Sequence, residues 1–394
     1  KKIIHQFLGL AHIQSVAKII TEAKVTEEWL ERIVRLIHLS QYHTGTMIEQ
    51  RAKRYGDKTV FNMIRGDDLH TLSYSDLWLK IQMTGKALSV LDRTEKPSVI
   101  GLLTYNQLNG VLVDLPCLSF GIRVIPIPLN STSEHLSFIL KQSEVTHIFV
   151  GGKTAIRLWN EVHHNYDILV IALNDTSLIQ GKVMDWEIFF ENRDRSQNFD
   201  VDQRMSYVPM DRTQTIMYTS GSTANPKGIT FNQSNIISKR FARALALPDF
   251  GSEDIFLCYL PLFHTFGRYF ELMGSIFWGA TYSFAESPAF NSLLKDFPIV
   301  NPSIFISIPK RWVQLYEMLE KQLDMDSEDN ETIETKLKSI TGGKLKWGLS
   351  AAGYLDPDIF KFYQSHGVNV LSGYGMTEAT GGITMTPPTE YIID

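Results

Sequence analysis

Residues 218–228 read Tyr-Thr-Ser-Gly-Ser-Thr-Ala-Asn-Pro-Lys-Gly, a run of hydroxyl side chains and glycines that ends near one lysine. Small residues allow backbone N–H groups to approach an anion, hydroxyls add donors, and Lys227 supplies a positive charge. The preceding residues 215–218 are apolar and partly β-branched, which predicts a strand that leads into the loop. The order differs from that of the common nucleotide loop, in which Gly-Lys-Ser/Thr opens a helix. The segment predicts a phosphate-binding loop, and composition alone leaves a solvated turn as the alternative.

The composition is that of a folded globular protein. The chain has 394 residues, of which 44% are hydrophobic and 21% are charged. This length exceeds what one compact core usually supports, so we expect at least two subdomains. The net charge of −5 gives no basic surface for nucleic acid, and we expect no nucleic-acid partner. Cys117 and Cys258 lie far apart without a metal-ligand pattern, which favours a reducing, cytoplasmic location over a disulfide framework or a zinc site.

The first half of the chain predicts a parallel α/β sheet, because short apolar runs alternate with helical stretches. The predicted strands are 99–103, 124–127, 147–150 and 168–173, and the predicted helices are 109–120, 134–141 and 155–162. Such βαβ repeats imply parallel strands joined by right-handed crossovers.

A subdomain boundary is predicted near residue 200. Residues 181–200 are polar and rich in turn formers, apart from a short apolar patch. We therefore predict an α/β fold with two subdomains, each a mostly parallel sheet covered by helices. The first spans 43–200, and the second spans 201–394 and begins with the phosphate loop.

Residues 1–42 predict a helical leader. Leu30, Ile33, Val34 and Ile37 recur at helical spacing. Charges interrupt the apolar stripe and no basic face accompanies it, which favours a helix packed on the body of the protein. Peripheral membrane contact is the alternative.

Four segments resemble motifs of the adenylate-forming enzymes, a family of acyl-CoA synthetases, peptide-synthetase adenylation domains and luciferases. Residues 218–228 resemble its phosphate loop, and 372–378 (Ser-Gly-Tyr-Gly-Met-Thr-Glu) resemble its adenine, phosphate and magnesium motif. Residues 260–267 (Leu-Pro-Leu-Phe-His-Thr-Phe-Gly) resemble the segment beside its carboxylate pocket. Residues 348–355 stand where the family has its adenine contact. Ala224 replaces a usual glycine, and residues 351–354 depart from the family pattern.

The resemblance implies roles for individual residues at the phosphates of ATP. Lys227 would contact the β- and γ-phosphates together with loop residues Thr219, Ser220, Gly221, Ser222 and Thr223. Glu378 would hold Mg²⁺, a hard cation that prefers oxygen ligands, with Thr219 as a further ligand. A surface glutamate is the alternative for Glu378.

The resemblance also implies contacts to adenine and to the substrate acid. The residues implied in nucleotide binding are Ala352, Gly353, Gly373, Tyr374, Gly375, Met376 and Thr377. Thr377 would contact the α-phosphate, and Tyr374 would offer a flat face to adenine, although a core tyrosine is the alternative. His264 would meet the substrate carboxylate or gate its pocket, and a satisfied core histidine is the alternative.

The activity implied by the resemblance is that of a long-chain fatty acid–CoA ligase. Such an enzyme uses ATP, Mg²⁺ and a fatty acid to form acyl-AMP and then passes the acyl group to coenzyme A. Residues 268–282 mix aromatic and small side chains that would line an apolar tunnel or, as the pattern alone favours, fill a helix interior. The alternatives are an acyl-AMP ligase that loads a carrier protein and a nucleotide- or acyl-binding module without catalysis. The family's C-terminal mobile domain, with its second lysine, has no counterpart before residue 394, so we expect weak activity or none.

Overall fold

The computed structural model describes residues 1–91, 97–174, 176–195, 199–219, 225–323 and 329–387. The strands are β1 (Thr59–Arg65), β2 (Asp68–Ser73), β3 (Val99–Thr104), β4 (Arg123–Pro126), β5 (His147–Gly151), β6 (Leu169–Ala172), β7 (Lys182–Asp185), β8 (Thr215–Thr219), β9 (Lys227–Phe231), β10 (Ile255–Cys258), β11 (Thr281–Phe284), β12 (Ile304–Ser307), β13 (Trp347–Ala351), β14 (Asn369–Met376) and β15 (Gly381–Met385).

The α-helices alternate with these strands along most of the chain. They are α1 (Lys2–Leu10), α2 (Gln14–Glu22), α3 (Thr26–Ser40), α4 (Thr44–Tyr55), α5 (Tyr74–Leu91), α6 (Leu108–Phe120), α7 (Ser133–Gln142), α8 (Lys153–Val162), α9 (Trp186–Glu191), α10 (Val201–Ser206), α11 (Gln233–Ala246), α12 (Met273–Trp278), α13 (Phe290–Val300), α14 (Pro309–Glu320), α15 (Asn330–Thr341) and α16 (Pro357–Ser365). A π-helical segment, Phe266–Leu272, leads directly into α12.

The strands form two large sheets. The first has the order β15-β14-β13-β12-β10-β11-β1-β2, and the second has the order β7-β6-β5-β3-β4-β8-β9. Strand pairs are parallel except β1–β2, β14–β15 and β8–β9, which are antiparallel pairs at sheet edges. Two mostly parallel sheets covered by helices confirm the predicted fold class.

Each sheet contains strands from both sides of residue 200. The predicted division into one sheet from 43–200 and another from 201–394 is therefore wrong. Strands β1 and β2 belong to the sheet built mainly from the second half of the chain, while β8 and β9 complete the sheet of the first half. The phosphate loop therefore connects the last two strands of the second sheet, which is built mainly from the first half of the chain. The local sequence did not indicate this arrangement, because β8 pairs in parallel with β4, a strand more than eighty residues earlier.

The predicted βαβ repeats are confirmed. Strand β3 lies between β5 and β4, and both pairings are parallel. The polar stretch from 181 to 200 was expected to be turn-rich, but it contains β7 and α9. Strand β7 pairs in parallel with β6, and Trp186 and Phe189 of α9 are buried. Tertiary pairing outweighs the weak local propensity there.

The N-terminal leader forms three helices, α1 to α3, that pack on the body of the protein. Ile33 and Ile37 of α3 are fully buried, and α3 packs against α11. His38 of α3 is hydrogen-bonded to Ser234 of α11 at 2.8 Å. Within the described part of the chain, no single helix is long and apolar enough to span a membrane. Helices α1 and α2 reach that length and apolarity only when taken together, and the pair is bent by 80°.

Candidate active site

Two of the motif segments lie side by side at the carboxyl end of the first sheet. Strand β13 carries the start of the 348–355 segment, and β14 carries most of the 372–378 segment. The two strands are parallel neighbours, and Ala351 pairs with Gly373 at their ends. The carboxyl edge of a parallel α/β sheet is where such folds bind ligands. The two segments, about twenty residues apart in sequence, are thus adjacent at the edge where such sheets bind ligands.

The turn after β13 exposes two of the predicted nucleotide contacts, Ala352 and Gly353. Ala352 adopts a left-handed backbone conformation with φ of 66°, which is uncommon for a residue other than glycine. Such conformations concentrate at functional sites, where the surrounding structure maintains them. Gly353 is exposed, and 79% of the surface of Tyr354 is exposed.

The turn after β14 presents Glu378 to solvent. Gly373, Tyr374, Gly375 and Met376 lie in β14, and Thr377–Ala379 form a single 3₁₀ turn. Tyr374 exposes 64% of its surface, which excludes the alternative of a core tyrosine and leaves a ring face accessible. Glu378 is also exposed.

Gly375 is required by the hairpin between β14 and β15. A Cβ atom at Gly375 would lie 2.3 Å from the carbonyl oxygen of Gly381, which is far inside van der Waals contact. The close approach turns the chain so that β15 returns antiparallel to β14. Thr377 and Glu378 lie at the tip of this hairpin.

His264 lies on the segment that follows β10. The side chain is exposed, which excludes a satisfied core histidine, and its ring lies 4.6 Å from that of Phe263. Neighbouring protein atoms nevertheless remove part of its hydration, and this desolvation lowers the pKa of the imidazole below its ordinary value. His264 is therefore neutral near pH 7.

The His264 segment approaches the hairpin that carries Glu378. A Cβ atom at Gly381 would lie 3.8 Å from Oγ1 of Thr265, so β15 and the residue after His264 are neighbours. The structure thus gathers the 260–267, 348–355 and 372–378 segments at one edge of the first sheet.

The phosphate-loop residues are divided between described and undescribed parts of the chain. Ser220, Gly221, Ser222 and Thr223 lie outside the described residues. Thr219 ends β8 and pairs with Lys227, which is exposed and is the first residue of β9. The strand predicted before the loop is confirmed, and Lys227 begins a strand rather than lying within the loop.

Two polar contacts connect the sheets near the site. The side-chain amide of Asn106, after β3, donates to the carbonyl of Leu260 at 2.7 Å and accepts from the N–H of Leu262 at 3.1 Å. Arg268 of the π-helical segment donates to Oγ1 of Thr215, at the start of β8, at 2.8 Å. The His264 segment is therefore bonded to the sheet that carries Thr219 and Lys227.

Arg268 also forms a buried ion pair with Asp114 of α6. Burial alone would lower the pKa of the guanidinium, but the Asp114 carboxylate raises it above its ordinary value. In the sequence, Arg268 is a single charge at the start of an apolar run. A charge that is buried with such a run requires a partner.

Three other ionisable residues around this segment are buried, and no pattern in the sequence predicted this. Glu271 is fully buried and forms no ion pair among the described residues, and burial raises its pKa well above the ordinary value although the backbone of Leu260 lowers it. Arg240 and Arg243 of α11 are also buried. The aromatic side chains of residues 269–278 are buried in the core, as their pattern alone favoured.

The sequence pattern of the family described as AMP-binding enzyme matches residues 48–392. The chain belongs to this family. It is 24% identical over 342 residues to Long chain acyl-CoA synthetase 7, peroxisomal, of Arabidopsis thaliana, covering 78% of this chain and 48% of that protein. It is 22% identical over 391 residues to Long-chain-fatty-acid–CoA ligase ACSBG1 of Homo sapiens, covering 89% of this chain and 54% of that protein. The chain therefore spans about half the length of these relatives.

Solved structures of adenylate-forming enzymes share the fold. The adenylation domain of a carboxylate reductase from Mycobacterium chelonae superposes with a TM-score of 0.72 at 16% identity, covering 91% of this chain and 64% of that chain. The N-terminal domain of FACL13 from Mycobacterium tuberculosis gives a TM-score of 0.69 at 17% identity, covering 88% and 79%. The AMP-binding fold is thus established by both sequence and structure.

Proposed function

We propose that this AMP-binding chain activates a carboxylic acid with ATP, forming acyl-AMP, and that the acyl group then passes to the thiol of coenzyme A. The pairing of Ala351 with Gly373 supports this most directly, because it assembles the two segments that resemble the family's adenine-binding motifs. The exposed ring of Tyr374 and the exposed carboxylate of Glu378 lie directly after this pair.

The first step of the proposed reaction joins two anions. A carboxylate oxygen of the acid forms a bond to the α-phosphorus of ATP, and the bond from that phosphorus to the bridging oxygen breaks, so that pyrophosphate leaves. The site must neutralise charge and align the attacking oxygen with the leaving group. In this proposal Lys227 stabilises charge on the departing phosphates, and Thr377 hydrogen-bonds the α-phosphate.

The neutral imidazole of His264 suits the other reactant of this step, the substrate carboxylate. A neutral imidazole offers one N–H donor to the substrate carboxylate while adding no competing charge. In the second step the thiolate of coenzyme A attacks the acyl carbon, the acyl–phosphate bond breaks, and AMP leaves. The thiol proton is released to solvent.

Magnesium fits the proposed site through oxygen donors. Among the described residues, no cluster of three or more His, Cys, Asp or Glu side chains is arranged to hold a metal. Mg²⁺ typically uses one or two protein oxygens and takes its other ligands from phosphates and water. Glu378, with the hydroxyl of Thr219, would hold such an ion and neutralise phosphate charge.

A long-chain fatty acid is the acid we propose. The support is that the curated relatives named above are long-chain acyl-CoA synthetases or ligases. If the acyl chain enters an apolar pocket, each buried CH₂ contributes about 0.8 kcal/mol to binding, so affinity climbs with chain length until the pocket is full.

Thioester formation on the full gene product tests the proposal. The assay follows ATP-dependent acyl transfer from a long-chain fatty acid to coenzyme A, to an acyl carrier protein, and to no acceptor. Transfer to coenzyme A supports the ligase, whereas transfer to the carrier protein alone would replace it with an acyl-AMP ligase. ATP binding without acyl-AMP formation from any acid would leave only a binding module and would contradict the proposal.

A further inference from the structure

Asn106 holds a short backbone stretch in the segment that carries His264. Its amide nitrogen donates to the carbonyl of Leu260 at 2.7 Å, and its amide oxygen accepts from the N–H of Leu262 at 3.1 Å. An amide side chain offers both a donor and an acceptor, so one residue satisfies two backbone groups. The two bonds join a loop of the second sheet to a segment that follows a strand of the first.

The stretch held by Asn106 is hydrogen-bonded to His264 itself. Pro261 lies between the two residues that Asn106 contacts, and its carbonyl accepts from the N–H of His264 at 3.0 Å. The ring of a proline fixes its own φ, so this turn has few conformations once the peptides on both sides of it are held. The position of the Pro261 carbonyl therefore determines where the backbone of His264 lies.

A second contact holds the other side of His264. Its carbonyl accepts from the N–H of Arg268 at 2.9 Å, and the side chain of Arg268 is paired with Asp114 of α6. Asn106 lies in the loop between β3 and α6. His264 therefore lies between two points of attachment, and both are on the unit formed by β3, this loop and α6.

The loop that carries Asn106 is held by polar contacts of its own. The side chain of Asn174, after β6, donates to the side-chain oxygen of Gln107 at 3.0 Å. The side chain of Asn109 donates to the carbonyl of Leu173 at 2.9 Å. These bonds restrict the loop on both sides of Asn106, so its amide is presented to the His264 segment in a defined position.

We propose that Asn106 is a positioning residue, which sets the place of the His264 imidazole and through it the affinity for the substrate carboxylate. This inference rests on the proposed acid activation, in which His264 donates to that carboxylate. Hydrogen bonds weaken steeply when their distance or angle departs from the preferred geometry. Loss of both Asn106 bonds releases residues 260–262 and moves the imidazole donor away from that geometry.

Asn160 provides a matched control, because it makes the same pair of bonds outside the candidate site. Its side-chain amide donates to the carbonyl of Leu178 at 2.8 Å and accepts from the N–H of Gln180 at 3.0 Å. Asn106 and Asn160 are both half-buried. Asn106→Ala and Asn160→Ala remove the same two kinds of bond, and we expect similar falls in melting temperature.

Exchange of labelled pyrophosphate into ATP, with dodecanoate as the acid, measures the effect in the full gene product. We expect Asn106→Ala to raise the KM for dodecanoate about 10-fold, the size of one hydrogen bond to a charged group, while the KM for ATP stays unchanged. Added to His264→Ala, Asn106→Ala should cause no further rise, because the residue through which it acts is already removed. Asn160→Ala should leave both KM values unchanged.

Two-dimensional NMR of the 394-residue chain gives a second readout, which does not depend on catalysis. We expect the ring signals of His264 to shift in Asn106→Ala and to stay in place in Asn160→Ala. If Asn106→Ala does not fold, Asn106→Asp replaces it, because it has the same shape and keeps the acceptor for the N–H of Leu262. Any direct effect of its charge on the acid persists in the His264→Ala background and cancels from the comparison.

The failure of this inference differs from failure of acid activation. An unchanged KM for dodecanoate in Asn106→Ala, or a rise of the same size with and without His264, overturns the positioning role while acid-dependent exchange persists. If no carboxylic acid supports exchange by the native protein, the proposed function falls. Unshifted His264 signals in Asn106→Ala overturn the positioning role in either case.

Discussion

Arg268 and Asp114 form a fully buried, bidentate ion pair between the π-helical segment and α6. Nε and Nη2 of Arg268 donate to the two carboxylate oxygens at 2.8 and 2.5 Å. The remaining amino group of Arg268 donates to Thr215 in β8. Since β8 leads to Thr219 and the π-helical segment follows His264, this one side chain fixes the helix beside the proposed acid site relative to the strand of the phosphate loop. π-Helical turns are rare and concentrate at functional sites.

We expect the Arg268–Asp114 pair to respond strongly to loss of one partner. Arg268→Met leaves the Asp114 carboxylate buried and uncompensated, which should lower the free energy of unfolding by about 3–5 kcal/mol. Chemical denaturation measures the loss. Adding Asp114→Leu to Arg268→Met should restore much of the stability. The exposed pair of Lys53 and Glu49 is the control, where Lys53→Ala should cost about 0.3–0.5 kcal/mol. A loss of unfolding free energy that is equal in Arg268→Met and in the double variant Arg268→Met with Asp114→Leu would contradict the account.

Lys227 is expected to affect catalysis without affecting stability. In the full gene product, Lys227→Ala should lower the rate of acyl-AMP formation about 10²- to 10³-fold, the size of one preorganised electrostatic donor. The melting temperature should stay unchanged because Lys227 is exposed. Lys141→Ala, at an exposed position of α7, is the matched control and should leave the rate unaltered. Near-native rates in Lys227→Ala would remove this residue from the mechanism.

Glu271 gives a prediction about pH. Because burial raises its pKa well above the ordinary value of 4.5, the folded chain keeps Glu271 protonated while the unfolded chain ionises it. Its contribution to stability is therefore fully present below about pH 4.5 and is lost as pH rises toward the folded pKa. Relative to the native chain, Glu271→Gln should gain about 1.4 kcal/mol of unfolding free energy per pH unit over this window.

Denaturation of both chains between about pH 5 and pH 8 measures this slope. Glu320→Gln removes an exposed carboxyl from α14 and serves as the control. A stability difference that does not change with pH would show that Glu271 is ionised in the folded chain.

His264 should titrate below its ordinary value of 6.5, because partial desolvation disfavours the imidazolium. Folding stability then falls as the pH drops below about 6.5, where the unfolded chain takes up a proton that the folded chain resists. Two-dimensional NMR of the histidine ring protons measures the midpoint, and His264→Asn assigns the signal. A midpoint above 6.5 would require an anionic neighbour that the described residues do not supply.

Local patterns in the sequence predicted those parts of the structure that depend on local interactions. The alternation of apolar runs predicted β3, α6 and β4, and the apolar residues at 215–218 predicted β8. The pairing of β1 with β11 and of β8 with β4 depends on contacts between distant segments, which local periodicity does not encode. The division of the chain at residue 200 was wrong for this reason.

The candidate site shows the same limit. Residues 348–355 and 372–378 come together because they lie on two neighbouring parallel strands and the turns that follow them. The charges of Arg243 and Glu271 could not be located from sequence, because each lies in an amphipathic or apolar helix where a charged side chain is ordinarily solvent-facing. Only the packing shows that both side chains are buried.

Acid-dependent exchange of labelled pyrophosphate into ATP tests the central claim most directly, because it reports acyl-AMP formation without the later thioester step. With the full gene product and Mg²⁺, we predict exchange that requires a carboxylic acid. Glu378→Gln should lower it about 10²- to 10³-fold by removing a magnesium ligand. Exchange that proceeds equally without any acid, or that Glu378→Gln leaves at the native rate, would contradict the proposed adenylation site.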